Sequence, residues 1–218
     1  MKQSSQKYLH ELMERFPELA GTQDAITGIV EAIIAAYNAG GKILICGNGG
    51  SAADSEHIVG ELMKNFVISR GIPDADVDRF RSSGIADWEY LVNHLQQGIP
   101  AIALTGHVAL STAVLNDTDP CMAFAQQVYV YGNPKDLLIA LSTSGNAGNV
   151  CNAAKVARVK GLVTAALTGS RPCKLDGLCD IVVKAPSEQT YRVQEYHLPI
   201  YHCICLMAEN EVFGDSGG

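Results

Sequence analysis

Positive charge is scarce in this sequence. Its 218 residues contain 16 Lys and Arg against 23 Asp and Glu, which gives a formal net charge of −7. Because such a surface repels polyanions, we expect neither nucleic acid nor an anionic membrane as a partner. An anionic small molecule would have to be held locally by backbone amides, hydroxyls and a few cations.

The sequence also has no Cys-x-x-Cys pair, no apparent leader and no long apolar run. Its seven cysteines are scattered and odd in number, which argues against a disulfide framework and a zinc-finger spacing. Reduced thiols of this kind are typical of cytoplasmic proteins. The N-terminus lacks the apolar core of a signal peptide, and no apolar run approaches the ~20 residues that span a bilayer. We therefore expect a cytoplasmic protein without a membrane segment.

Helical and apolar segments alternate along the chain. Helices are predicted at 6–20, 23–39 and 189–213, and two more begin near residues 52 and 149. Five apolar segments without polar alternation are predicted strands: 42–46, 101–104, 137–141, 163–167 and 181–183. Such strands are typical of a parallel sheet covered by helices on both faces. The length suits a single domain over residues 1–218.

The stretch 66–98 interrupts this alternation. It is polar, has a helical pattern near its end, and carries Arg70, Arg79 and Arg81 among several aspartates. One interpretation is a solvated loop. The other is an inserted excursion that covers the substrate mouth or a neighbouring subunit and supplies a positive group there.

Two of the predicted strands end in similar turns. The turns combine glycine, asparagine and hydroxyl residues: Gly47, Asn48, Gly49, Gly50 and Ser51 in the first, and Ser142, Thr143, Ser144, Gly145 and Asn146 in the second. Backbone amides at a helix N-terminus, together with hydroxyls, favour a phosphate or another anion. The plainer interpretation is that strand-to-helix turns need such residues in any case. Neither turn has the P-loop or the dinucleotide-binding glycine pattern, so a nucleotide is not predicted.

A second group of polar residues lies on the predicted helices. His57 and Glu61 are four residues apart and share one helix face. Gln194 and His202 lie two turns apart on the last helix, a separation of ~12 Å, and Pro199 between them is predicted to kink it. The plain interpretations are an exposed His–Glu pair and a core histidine. The functional interpretation is proton transfer next to an anion site.

These segments together resemble the phosphoheptose isomerases, a family with the sugar isomerase (SIS) fold. The resemblance covers nearly the whole chain outside 66–98. Six segments carry it: Gly47-Asn48-Gly49-Gly50-Ser51, His57-Ile58-Val59-Gly60-Glu61-Leu62, Pro100-Ala101-Ile102-Ala103-Leu104-Thr105, Asn116-Asp117, Leu141-Ser142-Thr143-Ser144-Gly145-Asn146 and Thr190-Tyr191-Arg192-Val193-Gln194-Glu195-Tyr196-His197.

The resemblance implies an α/β fold of the SIS type. This is a three-layer α-β-α sandwich with a central parallel sheet, similar to flavodoxin and Rossmann folds, with N-terminal helices at 6–39. The implied activity is aldose–ketose isomerisation of sedoheptulose 7-phosphate to D-glycero-D-manno-heptose 7-phosphate through an enediol. A homotetramer with active sites between subunits is implied as well, together with a zinc site in some members.

The resemblance also implies roles for individual residues. Glu61 and His202 match the acid and base positions, and together with His57 and Gln194 they match the zinc ligands. We expect Glu61 to be the base and a protonated His202 to be the acid. The residues that match substrate contacts are Asn48, Gly49, Gly50, Ser51, Asn116, Asp117, Ser142, Thr143, Ser144, Asn146 and Gln194.

Four features depart from the family pattern. They are the excursion at 66–98, Asn65 where an arginine is common, Ala147 in place of a serine, and Pro199. These departures leave the residues of the isomerase chemistry in place, but they do not fix the specificity for a heptose. A different sugar phosphate is therefore an alternative substrate.

Two further alternatives belong to other classes of function. The first is a non-catalytic relative that binds the bacterial replication initiator, which the presence of both Glu61 and His202 disfavours. The second is a regulator that senses a sugar phosphate. It is disfavoured because the chain has no basic region that would serve as a DNA-binding domain.

Overall fold

A parallel sheet of five strands forms the middle layer of the computed structural model, which describes residues 1–214. The strands are β1 (Ile43–Cys46), β2 (Ala101–Ala103), β3 (Leu137–Leu141), β4 (Val163–Thr168) and β5 (Ile181–Lys184). Their order across the sheet is β2-β1-β3-β4-β5, and each neighbouring pair is parallel. β1 and β3 are buried along their whole length, which explains why these segments lack polar alternation.

Helices cover both faces of this sheet. The α-helices of residues 1–214 are α1 (Gln3–Arg15), α2 (Gln23–Asn38), α3 (Gly50–Met63), α4 (Asp74–Arg81), α5 (Trp88–His94), α6 (Val108–Asp117), α7 (Ala123–Tyr131), α8 (Gly148–Val159) and α9 (Thr190–Phe213). α4 and α5 belong to the excursion and do not cover the sheet. Ile43 and Ile45 lie in one core cluster with residues of α1, α2, α3 and α9, while Leu44 and Leu138 lie in a second cluster with residues of α7 and α8. The predicted three-layer α-β-α sandwich with N-terminal helices is therefore confirmed.

The boundaries of α1 and α3 differ from the predicted ones. α1 ends at Arg15 and not at residue 20, because Phe16 precedes a proline and leaves the helical region with φ −135° and ψ 74°. α3 begins at Gly50, two residues earlier than predicted. α9 runs as one helix over Thr190–Phe213, close to the predicted 189–213, and the kink predicted at Pro199 stays a prediction.

One segment has the length and composition of a membrane-spanning helix, which the sequence pattern did not lead us to expect. Pro17–Asn38 spans 22 residues with a mean hydropathy of 1.2 in its most apolar window. Its apolar stripe, which includes Ile26, Ile29 and Ile33, is buried in the core shared with α9. We therefore interpret it as a core helix. The predicted single domain at 1–218 includes residues 215–218, which lie outside the described residues, and stays a prediction.

The excursion at 66–98 forms two short helices that pack on each other. Neither α4 nor α5 has a buried residue. The two ends of the excursion lie side by side and form a narrow base. There Gly71 and Gln96 form a β-bridge, and the Gln97 amide donates to the Arg70 carbonyl over 3.0 Å. α4 has no counterpart among the predicted elements, and α5 is shorter than the helical pattern suggested. That the excursion covers a substrate mouth or a neighbouring subunit stays a prediction.

The arginines of the excursion do not provide the free positive group considered above. Arg79 and Arg81 form exposed ion pairs with Asp76 and Asp78 on α4, at 2.6 and 2.8 Å. Arg70 is buried and lies 3.2 Å from Glu209 of α9, whose side chain is 2% exposed.

Arg70 and Glu209 together join three parts of the chain. The Arg70 guanidinium donates to the carbonyls of Glu61, Leu62 and Lys64 at the end of α3. It also stacks over the Phe213 ring with its carbon 4.4 Å from the ring centre.

Glu209 completes the junction from the other side. Its carboxylate accepts the amides of Phe66, Val67 and Ile68, at 2.7, 2.9 and 3.3 Å. The pair therefore closes the C-terminal end of α3, where a cation complements the helix dipole, and fastens the excursion to α9.

Replacement of Arg70 should destabilise the fold. Arg70→Met replaces the arginine by an uncharged side chain of similar shape and leaves Glu209 as an unpaired buried charge. The free energy of unfolding should therefore fall by about 3–5 kcal/mol. Arg79→Met removes an exposed pair with Asp76 and is the matched control, with an expected loss below about 1 kcal/mol. Urea unfolding measures both, and equal small losses would show that the buried pair does not hold the fold.

Candidate active site

The two glycine-rich turns lie side by side at the carboxyl edge of the sheet. The register pairs Cys46 of β1 with Ala140 of β3, so both strands end at the same level. The side chains of Asn48 and Asn149 exchange two hydrogen bonds, at 2.9 and 2.8 Å, and so link the first turn to α8. Carboxyl ends of parallel strands are where open sheets bind ligands.

Two glycines in these turns are required by the backbone. Gly49 and Gly145 have φ of 57° and 63°, in the left-handed region that favours glycine. Gly50 leaves room for a side chain of the last helix, because a Cβ there would lie 2.5 Å from Nε2 of Gln194. Gln194 therefore lies directly over the start of α3, beside the first turn.

The hydroxyls of the turns differ in exposure. Ser51 and Ser142 are buried at the base of the turns, Thr143 is half-buried, and Ser144 is exposed. Asn146 holds the second turn in shape, since its amide donates to Ser144 O at 2.8 Å and its Oδ1 accepts from the Lys174 amide at 3.0 Å. α3 and α8 both begin at this edge, so the positive ends of two helix dipoles face the same place.

A cluster of one carboxylate and two imidazoles lies further along α3. His57 Nε2 is 3.2 Å from Glu61 Oε1 and 3.5 Å from His202 Nε2 of α9. Glu61 is mostly buried, with a side chain 13% exposed, and its second oxygen is 3.3 Å from Nζ of the exposed Lys64. The Phe66 ring packs 5.6 Å from the ring of His202. The structure thus brings His202 to the His57–Glu61 pair, although His202 lies 145 residues from His57 in the sequence.

The environment of His202 changes one expectation about the cluster. Burial lowers the pKa of His202, and the neighbouring His57 lowers this pKa further, while Glu61 partly opposes the shift. His202 therefore favours the neutral imidazole near pH 7, and not the protonated acid expected from the sequence. A neutral imidazole still carries one N–H that can donate to an oxygen.

Two residues of this region were not singled out from the sequence. The hydroxyl of Tyr201 donates to Asp54 Oδ1 over 3.3 Å and lies 2.9 Å from Nδ1 of His57. Tyr201 itself is 2% exposed. Asp54 precedes His57 by one turn of α3, a spacing that places both on one side of the helix, and this was the only sequence signal for it.

Several predicted residues lie apart from the cluster. Gln194 lies at Gly50, two turns of α9 before His202. Asn116 and Asp117 are exposed at the end of α6, where they bond to each other over 2.7 Å. Among residues 1–214, neither makes a side-chain hydrogen bond to the two turns. His197 is buried, its Nε2 lies 3.3 Å from Thr168 O, and it belongs to the core.

The donor atoms of the cluster are of the types that zinc prefers. A tetrahedral zinc ion with bonds of about 2.0–2.1 Å sets neighbouring ligand atoms about 3.3 Å apart. The distances from His57 Nε2 to Glu61 and to His202 are close to this value. However, no three His, Cys, Asp or Glu side chains within 1–214 form a group that could hold a metal ion as they stand. The predicted zinc site is therefore not confirmed, and Gln194 does not complete it.

Comparison with known proteins extends over most of the chain. The family model for the SIS domain matches residues 7–95 and 86–169. The phosphoheptose isomerase of Clostridium acetobutylicum is 37% identical over 192 residues, which cover 88% of this chain and 85% of that protein. The phosphoheptose isomerase of Burkholderia pseudomallei is 36% identical over 186 residues, which cover 85% and 81%.

Two solved structures give the same result. A phosphoheptose isomerase from Francisella tularensis aligns with a TM-score of 0.74 and 29% identity, covering 94% of this chain and 96% of that one. The phosphoheptose isomerase of Neisseria gonorrhoeae aligns with a TM-score of 0.67 and 28% identity, covering 93% and 92%. The turns, the cluster on α3 and α9 and the sheet order thus occur in a chain similar to these proteins along almost its full length. The chain belongs to the SIS domain family and, within it, to the phosphoheptose isomerases.

Proposed function

We propose that this protein is an aldose–ketose isomerase of sedoheptulose 7-phosphate, with D-glycero-D-manno-heptose 7-phosphate as the aldose. The observation that carries the proposal is the meeting of Glu61, His57 and His202 beside two anion-binding turns. The names of its relatives support the substrate class. A carboxylate and an imidazole are the groups that proton exchange between neighbouring carbons requires.

The substrate would lie along α3. The phosphate would occupy the turns, held by Ser51 and by Ser142, Thr143 and Ser144, with two helix N-termini directed at it. From Ser51 to His57 the helix rises ~9 Å, so the reacting carbons would lie at the cluster while the sugar extends between the two places. Gln194, which lies over Gly50, would contact the sugar between them.

The chemistry needs one base and one donor. The Glu61 carboxylate takes the proton from the carbon next to the carbonyl, and the electron pair of that C–H bond forms the enediol double bond. His202 donates its N–H to the carbonyl oxygen, which stabilises the negative charge that develops there. The proton then returns to the other carbon, and the hydroxyl proton of the first carbon passes to the former carbonyl oxygen, so that the hydroxyl and the carbonyl exchange places. A neutral His202 suits this donor role, as a neutral imidazole does in other isomerases.

We also propose a zinc ion at the cluster. His57, Glu61 and His202 would hold it through two nitrogens and one oxygen, and Gln194 would have to move from Gly50 to join them. A bound zinc ion would polarise the substrate oxygens. Because Glu61 and His202 would then be ligands, the two residues could exchange the roles of base and donor given above. The donor types and the distances of 3.2 and 3.5 Å support this proposal.

The working form would be a homotetramer in the cytoplasm. Asn116 and Asp117 support shared active sites, because they are exposed at the end of α6 and would reach the substrate bound to a neighbouring subunit. Seven free thiols support a reducing compartment.

Removal of the base should stop turnover. Glu61→Gln keeps the shape of the side chain but cannot accept the carbon-bound proton, so kcat should fall by about 10²–10⁴-fold. Solvent deuterium should enter the sugar at C1 or C2 with the unaltered protein and not with this variant. Glu56→Gln, an exposed glutamate on the same helix, is the control and should keep normal kcat. Normal exchange by Glu61→Gln would refute the mechanism.

Loss of the hydroxyls in the second turn should weaken phosphate binding. The double variant Ser142→Ala and Ser144→Ala removes two donors without changing a backbone amide, so KM should rise at least tenfold while kcat changes less. Ser187→Ala, after β5 at the same sheet edge, is the control. Steady-state kinetics with the phosphosugar measures both constants, and an unchanged KM would remove this turn from the phosphate site.

Zinc should copurify with the protein at close to one ion per chain when no chelator is used. His57→Asn should lose most of it, because the cluster then lacks one imidazole, while His94→Asn on exposed α5 should retain it. Elemental analysis of the three proteins provides the measurement. Full activity in a preparation shown to be free of metal would reduce zinc to a stabiliser.

A further inference from the structure

The structure points to a hydrogen-bond chain behind the cluster that sets the tautomer of His57. We propose that Asp54 and Tyr201 are positioning residues, which hold the proton of His57 on Nδ1 and so direct the lone pair of Nε2 toward Glu61 and His202. The inference rests on the proposed function, because the tautomer of His57 matters for catalysis only if the cluster is the site of the isomerisation. The geometry and the first test require no substrate.

The chain is built from side chains held in place by packing. Tyr201 is 2% exposed and its ring packs edge-on against both histidines, with ring centres 5.4 Å from His57 and 5.0 Å from His202. Its hydroxyl reaches Asp54 Oδ1 at 3.3 Å and His57 Nδ1 at 2.9 Å. A rigid ring with two partners for one hydroxyl leaves few ways to place the proton.

The direction of these bonds follows from the donor and acceptor inventory. A carboxylate can only accept, whereas a tyrosine hydroxyl has one proton to donate and lone pairs that accept. When Tyr201 donates to Asp54, its oxygen is left to accept, and the only proton available at 2.9 Å is one on Nδ1 of His57. This arrangement is favoured because it places a proton in both contacts, whereas a Tyr201 hydroxyl that donated to His57 would leave two acceptor oxygens, its own and Asp54 Oδ1, facing each other without a proton.

The consequence appears at the other ring nitrogen. With its proton on Nδ1, a neutral His57 presents an unprotonated Nε2, 3.2 Å from Glu61 Oε1 and 3.5 Å from His202 Nε2. Two acceptor atoms so close together favour a cation or a proton between them. The opposite tautomer would instead use an Nε2 proton to bond the Glu61 carboxylate, which would occupy the base of the reaction.

Histidine NMR on the metal-free protein tests this directly. At mildly alkaline pH, above the usual histidine pKa, long-range ¹H–¹⁵N correlations should show His57 protonated on Nδ1. Tyr201→Phe should move this proton to Nε2. Asp54→Leu should do the same, because Tyr201 then has only Nδ1 as its acceptor. Asp54→Asn retains an acceptor oxygen and should restore the Nδ1 tautomer.

Zinc binding and kinetics give a second measurement. Loss of a group that orients a ligand typically costs 10–100-fold in metal affinity or activity, so Tyr201→Phe should lower the affinity for added zinc ions by about 10–100-fold. It should lower kcat by a similar factor with little change in KM. Tyr196→Phe removes an exposed hydroxyl bonded to Glu18 on the same helix and should change neither the tautomer nor the affinity.

The outcomes separate this inference from the proposed function. An Nε2 proton on His57 in the unaltered protein, or an Nδ1 proton that persists in both Tyr201→Phe and Asp54→Leu, would overturn it. If the tautomers change as expected while Glu61→Gln remains active, the hydrogen-bond chain stands and the isomerase mechanism fails.

Discussion

The buried contact between Arg70 and Glu209 is the interaction on which the arrangement of α3 and α9 depends. A guanidinium and a carboxylate at this depth are tolerated only because each also binds backbone groups, the carbonyls that end α3 on one side and the amides of 66–68 on the other. α3 and α9 carry every member of the carboxylate–imidazole cluster. The end of α3 is therefore fastened to α9 by a contact that contains none of the reacting groups.

The site is open to solvent, yet its side chains are held in a fixed geometry by the elements that carry them. The turns are open to solvent and made of small residues, yet they follow strands that are completely buried. The cluster lies on two long helices packed against the same core, and not on loops. Helices and strands hold catalytic geometry more precisely than loops do. The carboxylate–imidazole cluster, whose distances must be exact, accordingly lies on helices, and the groups that surround an anion lie in the turns.

Sequence alone was sufficient for the elements whose pattern is local. Five apolar segments without alternation gave the sheet, and the i, i+4 spacing of His57 and Glu61 gave one half of the cluster. The pattern failed where distant segments decide the outcome. Nothing local shows that Arg70 turns inward to Glu209, that Gln194 lies at Gly50, or that Tyr201 contacts His57. α4 was missed because its charged residues satisfy one another and leave no apolar stripe to detect.

The narrow base of the excursion has a consequence for redesign of the chain. Its two ends are hydrogen-bonded neighbours, through Gly71 with Gln96 and Arg70 with Gln97, so the length of chain between them can change without moving α3 or β2. Arg70 lies at this base and neutralises Glu209 of α9. The outer part of the excursion can therefore be shortened or exchanged, whereas its first residues cannot be removed unless Glu209 is replaced as well.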